Sequence, residues 1–334
     1  MKVPFVHGPG DLRLDEIETP VAGPNDVVVR IASAGICGSD VGYVAIGGVA
    51  GPSDIPVPLG HELAGTIAQI GSAVAGFAIG QRVIVNPTMN LIGNGGPEGG
   101  FAEHLLVRGV ADHPDALLPI PDHVSFDEAA LAEPLAVGAH AANRSGARKG
   151  DQVVVFGAGP IGLATIVNLR RMGIDQIVSV DLSAFRRERA LALGAHEAID
   201  PRTGNLADAL KGFHGTAQSW FGEMPATTHY IEASGAPIIA DILAMAAPGA
   251  ILCVVSVQKK PAEIDFQQLL GRELTITTAC AYRDEFAQML DLIGSGDFDV
   301  GQMISHRFDG ADFLEAFAIA SDPERAAKVL VQYP

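Results

Sequence analysis

The chain has 334 residues, a formal net charge of −17 and 48% hydrophobic residues. That length suits two domains, the acidic balance excludes a nucleic-acid-binding role and favours a soluble protein, and no apolar run is long enough to span a membrane. Its three cysteines, Cys37, Cys253 and Cys280, are too scattered for a disulfide framework and suit a reducing cytoplasm; Met1-Lys2-Val3-Pro4-Phe5 also lacks the apolar core of a signal peptide.

In chain order, the first segment reads as all-β with many turns. A strand is predicted over residues 27–31, after the turn signal Gly23-Pro24-Asn25-Asp26. Next comes a glycine-rich loop, Ala34-Gly35-Ile36-Cys37-Gly38-Ser39-Asp40-Val41-Gly42-Tyr43, which carries a thiol, a hydroxyl, a carboxylate and a phenol. Leu59-Gly60-His61-Glu62 leads into strands predicted over 66–70 and 81–85, and the recurrent glycines suggest a small barrel-like sheet with tight corners. Residues 86–100 form a loop dense in Gly, Asn and Pro. Glu133-Pro134 opens a helix leading into the second half.

That half alternates. Strands are predicted over 152–156, 176–180, 197–199, 228–232, 250–255 and 274–278, with helices over 161–172, 183–193, 207–211 and 238–246. Six strands with interleaved helices is the doubly wound pattern. Beyond about residue 282, helices are predicted over 285–293 and 311–320, and a strand over 328–331 that returns to the first domain. The expected fold is therefore α/β, with a first domain over 1–138 and 281–334 and a Rossmann domain over 139–280.

The first strand of the second half is a wholly apolar, β-branched run, as expected where both sheet faces are buried. Gly157, Gly159 and Gly162 follow it as G-x-G-x-x-G. The first permits the tight turn, the second lets backbone approach a pyrophosphate, and the third lets the helix pack close to the strand. Pro160 suits the first helical turn, and with Ile161 it opens the helix whose unpaired N–H groups face the phosphates. Asp181 ends the next strand, 19 residues beyond Gly162, where it would accept hydrogen bonds from the adenosine ribose and repel a 2′-phosphate. NAD is thus expected over NADP. Arg186 is the arginine expected against the adenine or ribose. Ser234, Val255 and Ser256 end later strands, where ligands collect in such sheets.

Cys37, His61, Glu62 and Glu133 are all residue types that bind zinc, and a catalytic zinc keeps three protein ligands and one open position. Singly they carry little: a lone Cys is more often a small core hydrophobe, and a glutamate before a proline can simply cap a helix.

Together with Gly35-Ile36-Cys37-Gly38-Ser39-Asp40, Gly60-His61-Glu62-Leu63-Ala64-Gly65, Glu133-Pro134-Leu135-Ala136-Val137, Gly157-Ala158-Gly159-Pro160-Ile161-Gly162 and the tail Arg325-Ala326-Ala327-Lys328-Val329, they give the chain a resemblance, over nearly its whole length, to the zinc-dependent medium-chain dehydrogenases of the polyol branch. The resemblance implies a GroES-like β-barrel catalytic domain beside the Rossmann domain. It implies zinc-assisted transfer of a hydride from a secondary alcohol of a polyol, sugar or sugar acid to NAD. Cys37 and His61 would be zinc ligands, with Glu62 or Glu133 as the third. Ser39 would pass the hydroxyl proton towards the nicotinamide ribose, and Tyr43 would line the substrate pocket. A cytoplasmic homodimer or homotetramer is also expected. A secondary alcohol or threonine-type dehydrogenase stays open, as does a non-catalytic NAD-binding sensor.

The chain departs from that family in three places. Residues 86–100 lack the four clustered cysteines that hold a structural zinc in most relatives, so one catalytic zinc per chain is expected. Gly42 stands where many relatives have histidine. Ala281 stands where polyol dehydrogenases usually have arginine, the nearest being Arg283. Of the remaining histidines, His140 is expected to be a satisfied core residue and the others structural or surface residues, while Cys253 and Cys280 read as buried strand residues.

Overall fold

The computed structural model describes residues 1–220 and 222–334. The chain divides into two compact units, Met1–Glu133 with Phe286–Pro334, and Pro134–Glu285.

The first unit is β-rich. Strands β1 (Lys2–Gly8) and β2 (Asp11–Glu16) form an antiparallel hairpin, with the short β4 (Val57–Pro58) on the other edge of β1. The main sheet is organised by β3 (Val27–Ile36), which pairs antiparallel with β5 (Glu62–Ile70) along its length. Next in that sheet come β6 (Arg82–Val85) and β8 (Leu117–Pro119). The opposite edge of β3 is shared. Its first half, Val27 to Arg30, pairs with β7 (His104–Val107), and its second half, Ser33 to Ile36, pairs with the C-terminal strand. The buried side chains of these strands form one core with Ile92 and Phe101.

Helix α1 (Gly38–Ile46) lies where a loop was expected. Gly38 and Gly42 give this segment poor helix propensity. What starts the helix is Asp40, whose Oδ2 accepts from the backbone N–H of Cys37 at 2.8 Å, satisfying a donor that helix geometry leaves unpaired. Gly47, in the left-handed region with φ of 83°, ends it. Helices α2 (Phe126–Ala130) and α3 (Ala132–Ser145) follow, with Glu133 in the first turn of α3.

The second unit holds six parallel strands: β9 (Val153–Phe156), β10 (Ile177–Val180), β11 (Glu197–Ile199), β14 (His229–Glu232), β15 (Ile251–Val254) and β16 (Thr275–Thr278), after the β12 (Thr216–Ser219) and β13 (Gly222–Pro225) hairpin. Their spatial order, β11-β10-β9-β14-β15-β16, reverses at β9, as in doubly wound sheets. The helices are α4 (Pro160–Arg171), α5 (Ala184–Ala192), α6 (Leu206–His214), α7 (Ile239–Met245) and α8 (Phe266–Arg272). Helix α8 was not expected, because a glycine sits inside its seven residues; Asp265 starts it by accepting from the N–H groups of Gln267 and Gln268. Register aligns Phe156 with Val180 on one side and with Glu232 on the other, and Glu232 with Val254, so the loops after these strands leave from one edge.

The chain then returns to the first unit through α9 (Glu285–Ser295), β17 (Ile304–Asp309), α10 (Phe313–Ala320) and β18 (Lys328–Gln332). Among the described residues, no helix is long and apolar enough to cross a membrane.

Candidate metal centre and nucleotide turn

In the first unit, one ligand atom each from Cys37, His61 and Glu62 lie within 4.8 Å of one another. The fold brings them together in two steps. Cys37 ends β3 as the cap residue of α1, while His61 and Glu62 stand at the start of β5, whose Glu62 registers with Gly35 of β3. Gly35 is required for this approach, since a Cβ there would lie 2.0 Å from Glu62 Oε2.

Asp40 braces the cluster. Besides Cys37, its carboxylate accepts from the N–H of Gly60 at 3.3 Å and approaches His61 Nδ1 at 3.7 Å. His61 Nδ1 is buried without a hydrogen bond, while Nε2 faces Ser39 Oγ at 3.4 Å. The Ser39 hydroxyl is also close enough to the Cys37 thiol and the Tyr43 phenol to favour the ionised form of each. Burial, reinforced by Glu62, nevertheless pushes the thiol up to about 11, and burial pushes the Tyr43 phenol up to about 12.

Glu133 is buried. It lies outside the 4.8 Å group, but His61, Glu62 and Cys37 all act on it electrostatically. Burial pushes its carboxyl up to about 8.

Lys328, a residue whose role the sequence did not reveal, completes the centre. Its Nζ donates to both carboxylate oxygens of Glu62 at 2.6 Å and to the carbonyl of Ile36 at 2.9 Å. Both members of this ion pair are fully buried. Burial alone would push the ammonium down, but the Glu62 carboxylate more than offsets this and holds it above its ordinary value. The signal available was a lysine leading the apolar run Val329-Leu330-Val331.

In the second unit, Gly157 sits in the left-handed region with φ of 89°, and a Cβ there would lie 2.8 Å from Ser234 Cα. Gly159 caps α4, with Pro160 and Ile161 next, and its Cβ direction meets only Arg186 Nη1, at 3.5 Å. Gly162 packs against Gly157 with no room for a side chain. Asp181 accepts from the N–H groups of Ala158 at 2.6 Å and Ser183 at 2.8 Å, which ties the strand end to the glycine turn. The structure therefore brings Gly157, Gly159, Gly162, Asp181 and Arg186 together.

Ser234, Val255 and Ser256 leave the same sheet edge and are gathered by Glu232, which the sequence did not single out. Glu232 accepts from Ser234 N at 2.7 Å, Gly235 N at 3.0 Å and Gln258 Nε2 at 2.7 Å, and from the Ser256 hydroxyl. Its signal was an acid closing the apolar strand just before Ser234-Gly235.

His140 has the partner expected of it, Glu285 Oε1 at 3.0 Å. Cys253 is fully buried in β15, but Cys280 is exposed and lies beyond the end of β16. Ala281 adopts a left-handed φ of 51°, and Arg283 is exposed.

The sequence matches the alcohol dehydrogenase GroES-like domain over residues 23–122 and the zinc-binding dehydrogenase domain over 160–295. It is 34% identical to sorbitol dehydrogenase from Pongo abelii over 93% of this chain and 90% of that protein. Among solved structures, 2R,3R-butanediol dehydrogenase from Bacillus subtilis matches with a TM-score of 0.86 at 28% identity, covering 99% of each chain. An alcohol dehydrogenase from E. coli complexed with NADH matches with a TM-score of 0.85 at 26% identity, again covering 99% of each. The chain belongs to the zinc-dependent medium-chain dehydrogenase family. Polyol-type dehydrogenases are among its relatives.

Proposed function

We propose that this protein oxidises a secondary alcohol of a polyol, sugar or sugar acid, with NAD as hydride acceptor and one zinc ion per chain. The observation that carries the reading is the buried group of Cys37, His61 and Glu62. A thiol, an imidazole and a carboxylate form a zinc-type donor set. Two features make it fit a cation. His61 is buried with a ring nitrogen lacking a hydrogen bond, and burial opposes ionisation of both Cys37 and Glu133, a cost that a divalent ion would offset. Cys37, His61 and Glu62 would hold the ion, with Glu133 in an outer position. Zinc there would supply a Lewis acid that lowers the pKa of the substrate hydroxyl.

The chain's own residues do the rest. Asp40 fixes the cap of α1 and stands 3.7 Å from His61 Nδ1, near enough to stabilise charge on the ring. Lys328 keeps Glu62 compensated inside the core. Ser39 relays the hydroxyl proton, gaining it on Oγ as its own hydroxyl proton passes on towards the nicotinamide ribose, and Tyr43 offers a phenol to further hydroxyls of the substrate. The glycine turn and the N-terminus of α4 hold the NAD pyrophosphate, Asp181 takes the ribose hydroxyls, and Arg186 lies beside the turn. Ser234, Val255 and Ser256 bind towards the nicotinamide. NAD would supply the hydride acceptor.

Residues 86–100 contain no cysteine, which supports a single zinc. The family resemblance supports a homodimer or homotetramer, and the need to keep Cys37 reduced supports a cytoplasmic setting.

The test is elemental analysis together with a screen for NAD reduction over polyols, sugar acids and simple alcohols. About one zinc per chain and NADH from a polyol or sugar acid is the expected result. No zinc and no turnover, with NAD still bound, would overturn the catalytic reading.

A further inference from the structure

Residues 86–100 are folded tightly against the segment that precedes His61. Ile92 is fully buried, and its N–H donates to the Pro87 carbonyl at 3.0 Å. Gly93 donates to Glu98 O at 2.8 Å, and Gly100 donates to Gly60 O at 2.9 Å. Gly93 is left-handed with φ of 64°, and a Cβ there would lie 2.2 Å from Gly60 O. The loop therefore holds its shape through backbone bonds and close glycine contacts.

At its tip, half-buried Asn94 reaches α1. The Tyr43 hydroxyl donates to Asn94 Oδ1 at 3.0 Å, and Asn94 Nδ2 donates to Ile92 O at 3.3 Å. A backbone carbonyl can only accept, so Ile92 fixes which end of the amide is the NH2 group. Oδ1 must then face Tyr43, and the phenol must spend its single proton on Asn94. Its oxygen is left with lone pairs alone for any other partner, on the side where Ser39 stands.

We infer that Asn94 is a specificity-determining residue: by fixing Tyr43 as a hydrogen-bond acceptor, it selects alcohols with a second hydroxyl donor next to the carbon that is oxidised. The inference rests on the function proposed above, with Tyr43 facing the substrate. Asn94 acts through Tyr43, so it is a positioning residue. A vicinal diol can donate to that acceptor, whereas a simple secondary alcohol leaves it only the Ser39 hydroxyl, and a site that offers a bond to one substrate discriminates against analogues that lack it.

The experiment compares butane-2,3-diol with butan-2-ol, which differ by one hydroxyl, using the zinc-loaded protein and NAD. The wild type should favour the diol. Asn94→Leu should raise KM for the diol about tenfold, the scale of one lost hydrogen bond, with kcat within about threefold and butan-2-ol little affected. Asn94→Asp keeps the acceptor but loses the bond to Ile92, and it should stay within about threefold of wild type on the diol. Tyr43→Phe should raise KM for the diol at least as much as Asn94→Leu, and combining the two should cost no more than Tyr43→Phe alone. Zinc content should be unchanged in every variant.

The inference is overturned if Asn94→Leu impairs both alcohols equally, or if Asn94→Asp is as damaging as Asn94→Leu, since either would mean that the residue merely folds the loop. A wild type that oxidises butan-2-ol as readily as the diol also overturns it, while leaving the proposed function standing. A wild type that oxidises neither overturns both.

Discussion

The nucleotide turn draws its frame from six consecutive residues, Gly157 to Gly162, whereas the metal cluster gathers Cys37, His61 and Glu62 and leans on Lys328 from the far end of the chain. The turn works with backbone: positive φ, close approach and free N–H groups at a helix start. The cluster works with buried ionisable side chains, each needing a compensating partner. A backbone site can be encoded locally and tolerates change around it. A buried charged site depends on strand register, and losing one partner leaves another uncompensated.

This contrast can be broken most sharply at Cys37. Cys37→Ser should lower turnover by on the order of 10³-fold or more by removing the thiolate from the donor set. NADH affinity, followed by fluorescence titration, should stay within about twofold because the turn does not use that thiol. Equal loss of both would mean that the two sites are not separable.

Lys328 tests the compensation itself. Lys328→Met strands Glu62 in the core and should destabilise the β-rich unit by about 3–5 kcal/mol, read as a lowered Tm. Adding Glu62→Leu should recover part of that loss, even though activity does not return. If the single variant melts like wild type, the ion pair is not what keeps Glu62 in place.

In the nucleotide-binding unit, Asp181→Ser should narrow the ratio of kcat/KM for NAD over NADP by about tenfold or more, through removal of the charge that repels a 2′-phosphate. An unchanged ratio would remove Asp181 from cofactor choice.

An effect on stability alone is expected at Glu285, a buried carboxylate held without a lysine. Burial pushes its carboxyl up, but the N–H of Arg283, His140 and Asn143 together outweigh this and bring it down to about 2, from an ordinary 4.5. A lowered folded-state pKa stabilises above the ordinary value, and that stabilisation disappears as pH falls from about 4.5 to about 2. Glu285→Gln should therefore be less stable than wild type by about 1–3 kcal/mol at neutral pH, with the gap closing through that window. A gap independent of pH would show that packing, not charge, holds the residue.

The parallel sheet was legible because strands such as Val153–Phe156 are apolar on both faces, and each of the six predicted strands matches an observed one to within a residue at either end. Helix α1 was not legible, because two glycines mask it and the group that starts it is a side chain three residues along. Cys37, His61 and Glu62 could be picked out by residue type and resemblance, but their meeting depends on Gly35 registering with Glu62. Lys328 and Glu232 were missed for the same reason. Each looks like an ordinary charged residue at a strand end, and only the neighbouring strands show that it is fully buried with partners.

The shared edge of β3 has a consequence for synthesis. Residues 33–36 receive their second strand only when β18 arrives, and β18 also brings the ammonium that Glu62 requires. A nascent chain thus carries Cys37, His61 and Glu62 with an open sheet edge and an uncompensated acid among them until β18, 266 residues beyond Glu62, has been made. The nucleotide unit, complete by residue 285, can mature on the ribosome ahead of it. The cluster would reach its paired, fully stranded state abruptly, when β18 docks.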